Sequence, residues 1–94
     1  IGGAVAETVG AKLRALGSRC QVLCVTHLPQ VAAQGHAHLS VSKIVQDSTT
    51  RTHIAVLDAK SRSEELARML GGIEIDRETR AHAEKMLEKA GARD

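Results

Sequence analysis

A near-continuous apolar run at residues 20–25 (CQVLCV) constrains the fold more than any other feature of this sequence. Such runs are typical of strands that are covered on both faces, as in parallel sheets flanked by helices. Helical periodicity precedes the run over residues 4–16, and a short helix is predicted after it over residues 30–34. A helix, a buried strand and a second helix together predict an α/β domain.

The remaining elements follow from periodicity and from turn residues. The first helix places its predicted buried stripe on Val5, Val9, Leu13 and Leu16. Alternating patterns over 39–44 and 52–57, separated by a polar break at 46–49, predict a β-hairpin. A capping box at residues 61–64 (SRSE) opens a helix that buries Leu66, Met69 and Leu70 and stops at the glycine pair 71–72.

Asp76 is predicted to cap a last helix, in which Arg80 and Glu84 are spaced to pair. The predicted apolar side of that helix is Thr79, Ala83, Met86, Leu87 and Ala90. The predicted order of elements is α-β-α-β-β-α-α.

Composition excludes several classes of function. The sequence has no Phe, Trp or Tyr, so the core must be aliphatic and no aromatic platform exists on which bases could stack. The net charge of +2 is too balanced to favour an electrostatic grip on nucleic acid or on a membrane surface. No apolar run reaches the roughly 18 residues that a membrane span requires. We expect Cys20 and Cys24 to be buried free thiols in a reducing compartment.

His27 is the strongest candidate for chemistry, because it follows Thr26 at the carboxyl end of the predicted buried strand. Pro29 suits the first position of the next helix, which holds His27 in the turn between the two elements. In open α/β sheets, ligands bind at the carboxyl ends of strands. An imidazole there could accept a hydrogen bond from water or donate one to a phosphate oxygen. The alternative is a surface histidine that happens to follow a strand.

Two other groups of residues are weaker candidates for a functional site. His36, His38 and His53 could bind zinc if the hairpin brought them together, but the sequence places no supporting carboxylate near them, and we predict no metal site. Gly2 and Gly3 precede a helix and could face an anion. Neither of the two common glycine-rich phosphate-binding motifs is present, so this chain has no phosphate cradle of its own.

The strings around His27 resemble those of the RecN family, bacterial ATPases of DNA double-strand-break repair that are related to structural-maintenance-of-chromosomes (SMC) proteins. The most specific string is THLPQVAA, at residues 26–33. The resemblance spans nearly the whole chain, at 22–33 (VLCVTHLPQVAA), 38–43 (HLSVSK), 50–52 (TRT), 64–72 (EELARMLGG) and 79–83 (TRAHA).

The resemblance implies a fold and a set of roles. Residues 1–94 would form a single partial domain, the C-terminal lobe of an ABC/SMC-type P-loop NTPase head. His27 would be the switch histidine of an H-loop at 26–30, with Thr26 and Gln30 tuning its position. Residues 1–3, including Gly2 and Gly3, would be the remainder of the D-loop, which aligns two heads around bound nucleotide.

The resemblance also implies what the chain needs from outside itself. ATP with Mg²⁺ would be the cofactor of the complete protein, since phosphoryl transfer requires a phosphate cradle and metal ligands that would lie before Ile1. We therefore expect the isolated chain, which begins like a fragment, to be inactive. The implied partners are the upstream half of the same head, a second head in an ATP-dependent dimer, and DNA through the full-length protein. The implied location is the bacterial cytoplasm, on the nucleoid.

A different class of function remains open at this stage. A stand-alone, non-catalytic α/β module could present its hairpin and terminal helices to a protein partner, because these elements need no nucleotide in order to fold.

Overall fold

The computed structural model describes residues 2–92 and 94. In chain order, the described elements are α1 (Gly3–Gly17), α2 (Pro29–Ala32), β1 (Leu39–Gln46), β2 (Thr49–Val56), α3 (Ala59–Gly71) and α4 (Arg77–Gly91). The observed order is therefore α-α-β-β-α-α. It agrees with a mixed α/β class and lacks the first predicted strand.

The prediction of a buried strand at residues 20–25 is wrong for this chain. Residues 21–26 have no regular secondary structure, and the side chains of Leu23 and Val25 are 83% and 95% exposed. A strand forms only where a neighbouring strand satisfies its backbone hydrogen bonds. The described strands β1 and β2 pair with each other instead. Cys20 and Cys24 are accordingly exposed free thiols, which corrects the expectation that they are buried.

Helix α1 begins at Gly3, one residue before the helical pattern in the sequence, while Gly2 is the extended N-cap residue. Its buried residues are Ala6 and Gly10, and the predicted stripe is wrong because Val5, Val9 and Leu16 are exposed. Small residues are buried here because the backbone of α2 approaches closely. A Cβ atom on Gly10 would lie only 3.1 Å from the carbonyl oxygen of Gln30.

The hairpin forms as predicted, with β1 and β2 antiparallel and Gln46 paired with Thr49. Asp47 and Ser48 link the strands with φ angles of 48° and 65°. Positive φ at both central residues is the geometry that matches the twist of two-residue hairpins, and aspartate tolerates it better than most residues. The polar break between the two apolar patterns is thus a sufficient signal for this turn.

The caps of α3 and α4 show where sequence signals are sufficient and where they are not. Asp76 caps α4 as predicted, and its carboxylate accepts a hydrogen bond of 2.8 Å from the backbone N–H of Thr79. For α3 the predicted capping box is wrong, because Asp58 is the N-cap and accepts from the N–H of Ser61 at 2.8 Å. Gly72, with a φ of 68°, ends α3 at the predicted position.

The core is small and built mainly from alanine and leucine. Its fully buried members are Ala33, Leu66, Ala67 and Ala83, from α3, α4 and the turn after α2. The partly buried side chains around them are Ala32, Met69, Leu70, Ile75, Met86 and Leu87. These residues confirm the predicted inward sides of α3 and α4.

Arg80 pairs across the two helices instead of within one. Its Nε atom lies 3.0 Å from Oε1 of Glu64 on α3, so the predicted pair with Glu84 is wrong. Within the described part of the chain, no helix has the length and apolar character to cross a membrane.

Candidate functional site

The turn at residues 26–28 presents His27. The hydroxyl oxygen of Thr26 accepts a hydrogen bond of 3.0 Å from the backbone N–H of Leu28, which closes a local turn around the histidine. Leu28 has an extended backbone, and Pro29 then starts α2. The side chain of His27 is exposed, so its imidazole is accessible to a ligand from solvent.

The start of α1 lies beside α2, the helix that follows this turn. A Cβ atom on Gly3 would be 3.6 Å from Nε2 of Gln30, so Gly3 and Gln30 are neighbours although 27 positions separate them. A Cβ atom on Gly2 would meet nothing within 4 Å. The structure therefore brings together Gly3 and Gln30, which were singled out from different parts of the sequence. Gln30 lies three positions after His27 in the chain.

Helix α2 holds its position through its C-terminal end. Arg62, on α3, donates from Nη2 to the carbonyl oxygens of Ala32 and Ala33 at 3.2 Å, and to that of Gly35 at 2.5 Å. The carbonyl of Ala32 also accepts from the backbone N–H of Gly35 at 3.2 Å, which is the last bond of this turn. Carbonyls at the end of a helix otherwise lack partners within it. A cation at a helix C-terminus also interacts favourably with the helix dipole.

A second arginine, on α1, reaches the same end of α2 and shares the carbonyl of Gly35 with Arg62. Arg14 donates from Nη1 to the carbonyl oxygens of Gln34 at 2.8 Å and Gly35 at 3.4 Å. Its Nε atom donates to Asp94 at 2.8 Å, and its side chain is only 9% exposed. Nε2 of His36 lies 3.6 Å from the same carboxylate of Asp94. Arg14 and Arg62 therefore meet at the end of α2 from opposite elements.

Besides burial, the proximity of the Arg14 guanidinium group contributes to the pKa shift of Arg62. Burial, and then the positive charge of Arg14, lower the pKa of Arg62. Burial, and then the charge of Arg62, also lower the pKa of His38, with Glu65 opposing the shift. The lowered pKa of His38 favours the neutral form of its imidazole.

Some buried polar atoms in this region have no hydrogen-bond partner among the described residues. They are Oε1 of Gln34, Nδ1 of His38 and Nε of Arg62. Gln34 also packs tightly, since a Cβ atom on Gly10 would lie 2.8 Å from its Cγ atom. The neighbourhood of the α2 C-terminus is therefore both closely packed and polar.

A depression of about 350 Å³ lies on the same part of the surface. Arg14, Arg62, His36 and Asp94 contribute to its wall, whereas His27, Thr26 and Gln30 do not. Because the sequence also lacks a phosphate-binding loop, the described residues alone do not fit ATP with Mg²⁺. They provide one exposed imidazole and its supporting turn.

The histidines considered for zinc do not form a site. Over residues 2–92 and 94, no three His, Cys, Asp or Glu side chains are grouped so that they could hold a metal ion. His36 faces Asp94, and His53 lies within β2 opposite Ser42.

Sequence reasoning missed Arg14 and Arg62. Each resembles a surface charge on an amphipathic helix, because helical periodicity says nothing about what a long side chain reaches in another element. One faint signal exists: α2 carries no basic residue in its own last turn, so a cation for its C-terminus has to come from elsewhere.

No protein-family model matches the sequence. Several curated proteins do match, among them three bacterial proteins that are each named DNA repair protein RecN. The chain is 60% identical over 89 residues to that of Xylella fastidiosa (strain Temecula1), 49% over 88 residues to that of Haemophilus influenzae, and 37% over 90 residues to that of Bacillus subtilis. These matches cover 94–96% of this chain and 16% of each relative.

Proposed function

Because the chain belongs to the RecN family, we propose that it acts in DNA repair as one part of a much larger ATPase. In this proposal, residues 1–94 are a single partial domain, the C-terminal lobe of an ABC/SMC-type P-loop NTPase head. The protein works in the bacterial cytoplasm, on the nucleoid. The level of identity over nearly the whole chain supports a shared role for this segment and its relatives.

His27 is the residue we assign to ATP hydrolysis, and one observation carries the assignment. The imidazole stands exposed on a turn that Thr26 closes from one side and the rigid Pro29 from the other. A turn that fixes the backbone of a residue lowers the cost of bringing its side chain to a substrate, and positioning of this kind contributes to rate. His27 would act on a phosphate oxygen or on water at one edge of a nucleotide site.

The remainder of the nucleotide site has to come from the rest of the protein. We propose that ATP with Mg²⁺ binds mainly there, and that Gly2, Gly3, Thr26 and Gln30 complete one side of it. The contact between Gly3 and Gln30 supports a common surface for the proposed D-loop (1–3) and H-loop (26–30). The isolated chain would neither bind ATP tightly nor hydrolyse it.

Exposed apolar side chains support the proposal that another part of the same polypeptide packs against this chain. Leu23 and Val25 project from a segment with no secondary structure, and Val41 and Ile54 are exposed on the hairpin. We propose that the upstream half of the head covers these residues and supplies the strand next to 21–25. A second head, engaged when ATP binds, and DNA, contacted elsewhere in the full-length protein, complete the set of partners.

The test is the substitution His27→Ala in the full-length protein, with His82→Ala on the exposed face of α4 as the matched control. We expect kcat for ATP hydrolysis to fall roughly 100-fold or more, the range for loss of a general acid or base. ATP affinity, measured by calorimetry, should be retained in both variants. An unchanged kcat in His27→Ala would overturn the assignment and favour a non-catalytic interaction module.

A further inference from the structure

We propose that Arg62 and Arg14 are positioning residues that fix the orientation of His27 by clamping the far end of α2. This proposal rests on the proposed role of His27 in hydrolysis and adds two residues that never touch the nucleotide. It starts from the hydrogen bonds that converge on the end of α2 from α1 and α3.

Helix α2 cannot hold its own shape. It is four residues long, and isolated helices shorter than about 12–15 residues are marginal in water. No side chain caps its N-terminus, and no basic side chain lies in its last turn. Its orientation, and with it the direction in which the preceding turn points, must therefore be set by contacts from other elements.

Arg62 supplies three contacts to the end of α2 from another helix. A guanidinium carries five N–H donors in a rigid fork, whereas the ammonium of lysine is a compact point charge on a flexible stem. All three bonds, to the carbonyls of Ala32, Ala33 and Gly35, come from Nη2, whose two N–H groups are shared among them, while Nε has no partner among the described residues. One terminal nitrogen of a side chain on α3 thereby holds three neighbouring carbonyls together.

Arg14 fixes the same end from the opposite side. It binds the carbonyls of Gln34 and Gly35, and its pair with Asp94 offsets the repulsion that two adjacent guanidinium groups would otherwise exert. Gly35 therefore receives donors from both arginines. The C-terminal end of α2 is tied to α1 and α3 at once.

A short series of hydrogen bonds links the clamp to the turn that carries His27. The carbonyl of Leu28, the residue after His27, accepts from the N–H groups of Val31 and Ala32 at 3.1 Å and 3.0 Å. The carbonyl of Ala32 in turn accepts from Arg62. A rotation of α2 would therefore turn the 26–28 loop with it, and misplacing a catalytic group by about 1 Å is enough to lower a rate up to 100-fold.

The experiment is steady-state ATP hydrolysis by the full-length protein carrying Arg62→Met or Arg62→Lys. Arg62→Met keeps an unbranched apolar side chain and removes every donor. Arg68→Met is the matched control, because Arg68 lies on the same helix and pairs with Glu65. We expect Arg62→Met to lower kcat roughly 10- to 100-fold with an unchanged KM for ATP. Arg62→Lys should fall between the wild type and Arg62→Met, and Arg68→Met should behave as wild type.

A double-mutant cycle with His27→Ala separates positioning from general damage. If Arg62 acts through His27, Arg62→Met should cost nothing further in the His27→Ala background, because residues that act as a unit are not additive. Additive losses, or parallel losses of kcat, ATP affinity and melting temperature, would overturn the clamp. Should Arg62→Met fail to fold, the cycle with Arg62→Lys decides in its place.

The two proposals fail differently. If His27→Ala keeps its kcat, the role of His27 is wrong and the clamp has nothing to position. If His27→Ala loses activity while Arg62→Met and Arg14→Met keep theirs, the role of His27 stands and the clamp alone is overturned.

Discussion

The helices and the hairpin of this chain differ in how far their apolar side chains are buried. Helices α3 and α4 enclose Leu66 and Ala83 completely, together with Ala33 from the turn after α2. The hairpin turns one apolar face outward, so that Val41 is 66% exposed and Val56 is 77% exposed. Segment 21–25 resembles the hairpin in this respect.

The contrast separates elements whose hydrogen bonds and packing are complete within this chain from elements that leave apolar side chains exposed. Helical hydrogen bonds close within a segment, and α3 and α4 follow each other in sequence, so each finds its packing partner nearby. A strand finishes its hydrogen bonds only on another strand, and a two-stranded ribbon buries too little to be stable alone. A strand pattern in the sequence therefore becomes a strand only where a partner strand is present, as for β1 and β2, and residues 21–25 show the pattern without the strand.

Leu66→Ala should have the largest effect on the stability of the 94-residue chain. Leu66 is fully buried, and removing such a side chain leaves a cavity that costs about 2–5 kcal/mol. Urea denaturation followed by far-UV circular dichroism measures the change. Ile73→Ala is the control, because Ile73 is fully exposed between α3 and α4, and its loss should cost within about 0.5 kcal/mol. Equal costs would mean that the helices do not form the core described above.

Gly10→Ala should have the next largest effect on stability, because the added methyl group would force α1 and α2 apart. The new methyl group would lie 3.1 Å from the Gln30 carbonyl oxygen and 3.2 Å from the Cα atom of Val31, and backbone atoms cannot move aside as side chains do. Overpacking costs about 1–3 kcal/mol. That exceeds the gain of about 0.5–1 kcal/mol that alanine brings to a helix interior.

Gly91→Ala is the control for that substitution, since a Cβ atom on Gly91 meets nothing within 4 Å. Urea denaturation should show a loss for Gly10→Ala and none for Gly91→Ala. A neutral Gly10→Ala would indicate that α1 and α2 are not in close contact in solution.

The fold is predictable where a local signal suffices. The positive φ angles of Asp47 and Ser48 follow from a polar two-residue turn, and the cap at Asp76 follows from a carboxylate placed before a helical pattern. The stripe on α1 is not predictable in the same way. The choice of Ala6 and Gly10 over Val5 and Val9 depends on how closely α2 approaches, which periodicity does not contain.

The candidate site likewise has features that local sequence signals predict and features that they do not. Pro29 and Thr26 mark a turn at His27, and the structure shows that turn, although without the strand predicted to lead into it. Arg62 acts on carbonyls about 30 positions away, and no spacing rule connects the two. Long-range contacts of a flexible side chain are fixed by the packing of whole elements, so they emerge only from the folded chain.

The apolar hairpin face gives the smallest expected change in stability and tests the contrast most directly. Val41 and Ile54 are cross-strand partners on that face, and Ser42 and His53 are partners on the other. Replacing Val41 and Ile54 by threonine keeps β-branching, so unfolding of this chain should change by about 0.5 kcal/mol or less per site. Self-association, followed by sedimentation at rising concentration, should weaken, because exposed apolar patches drive it.

Ser42→Thr with His53→Thr is the matched pair, and it should leave self-association unchanged. In the full-length protein the same Val41 and Ile54 substitutions should cost about 1.5–3 kcal/mol per site at most, the free energy of burying an aliphatic side chain, less what threonine retains. A large loss in the 94-residue chain itself would show that the hairpin face is already covered there. Equal, small effects in both proteins would show instead that nothing in the larger protein covers the apolar hairpin face. The proposed difference between helices that are buried within this chain and a hairpin that is buried by another part of the protein would then be wrong.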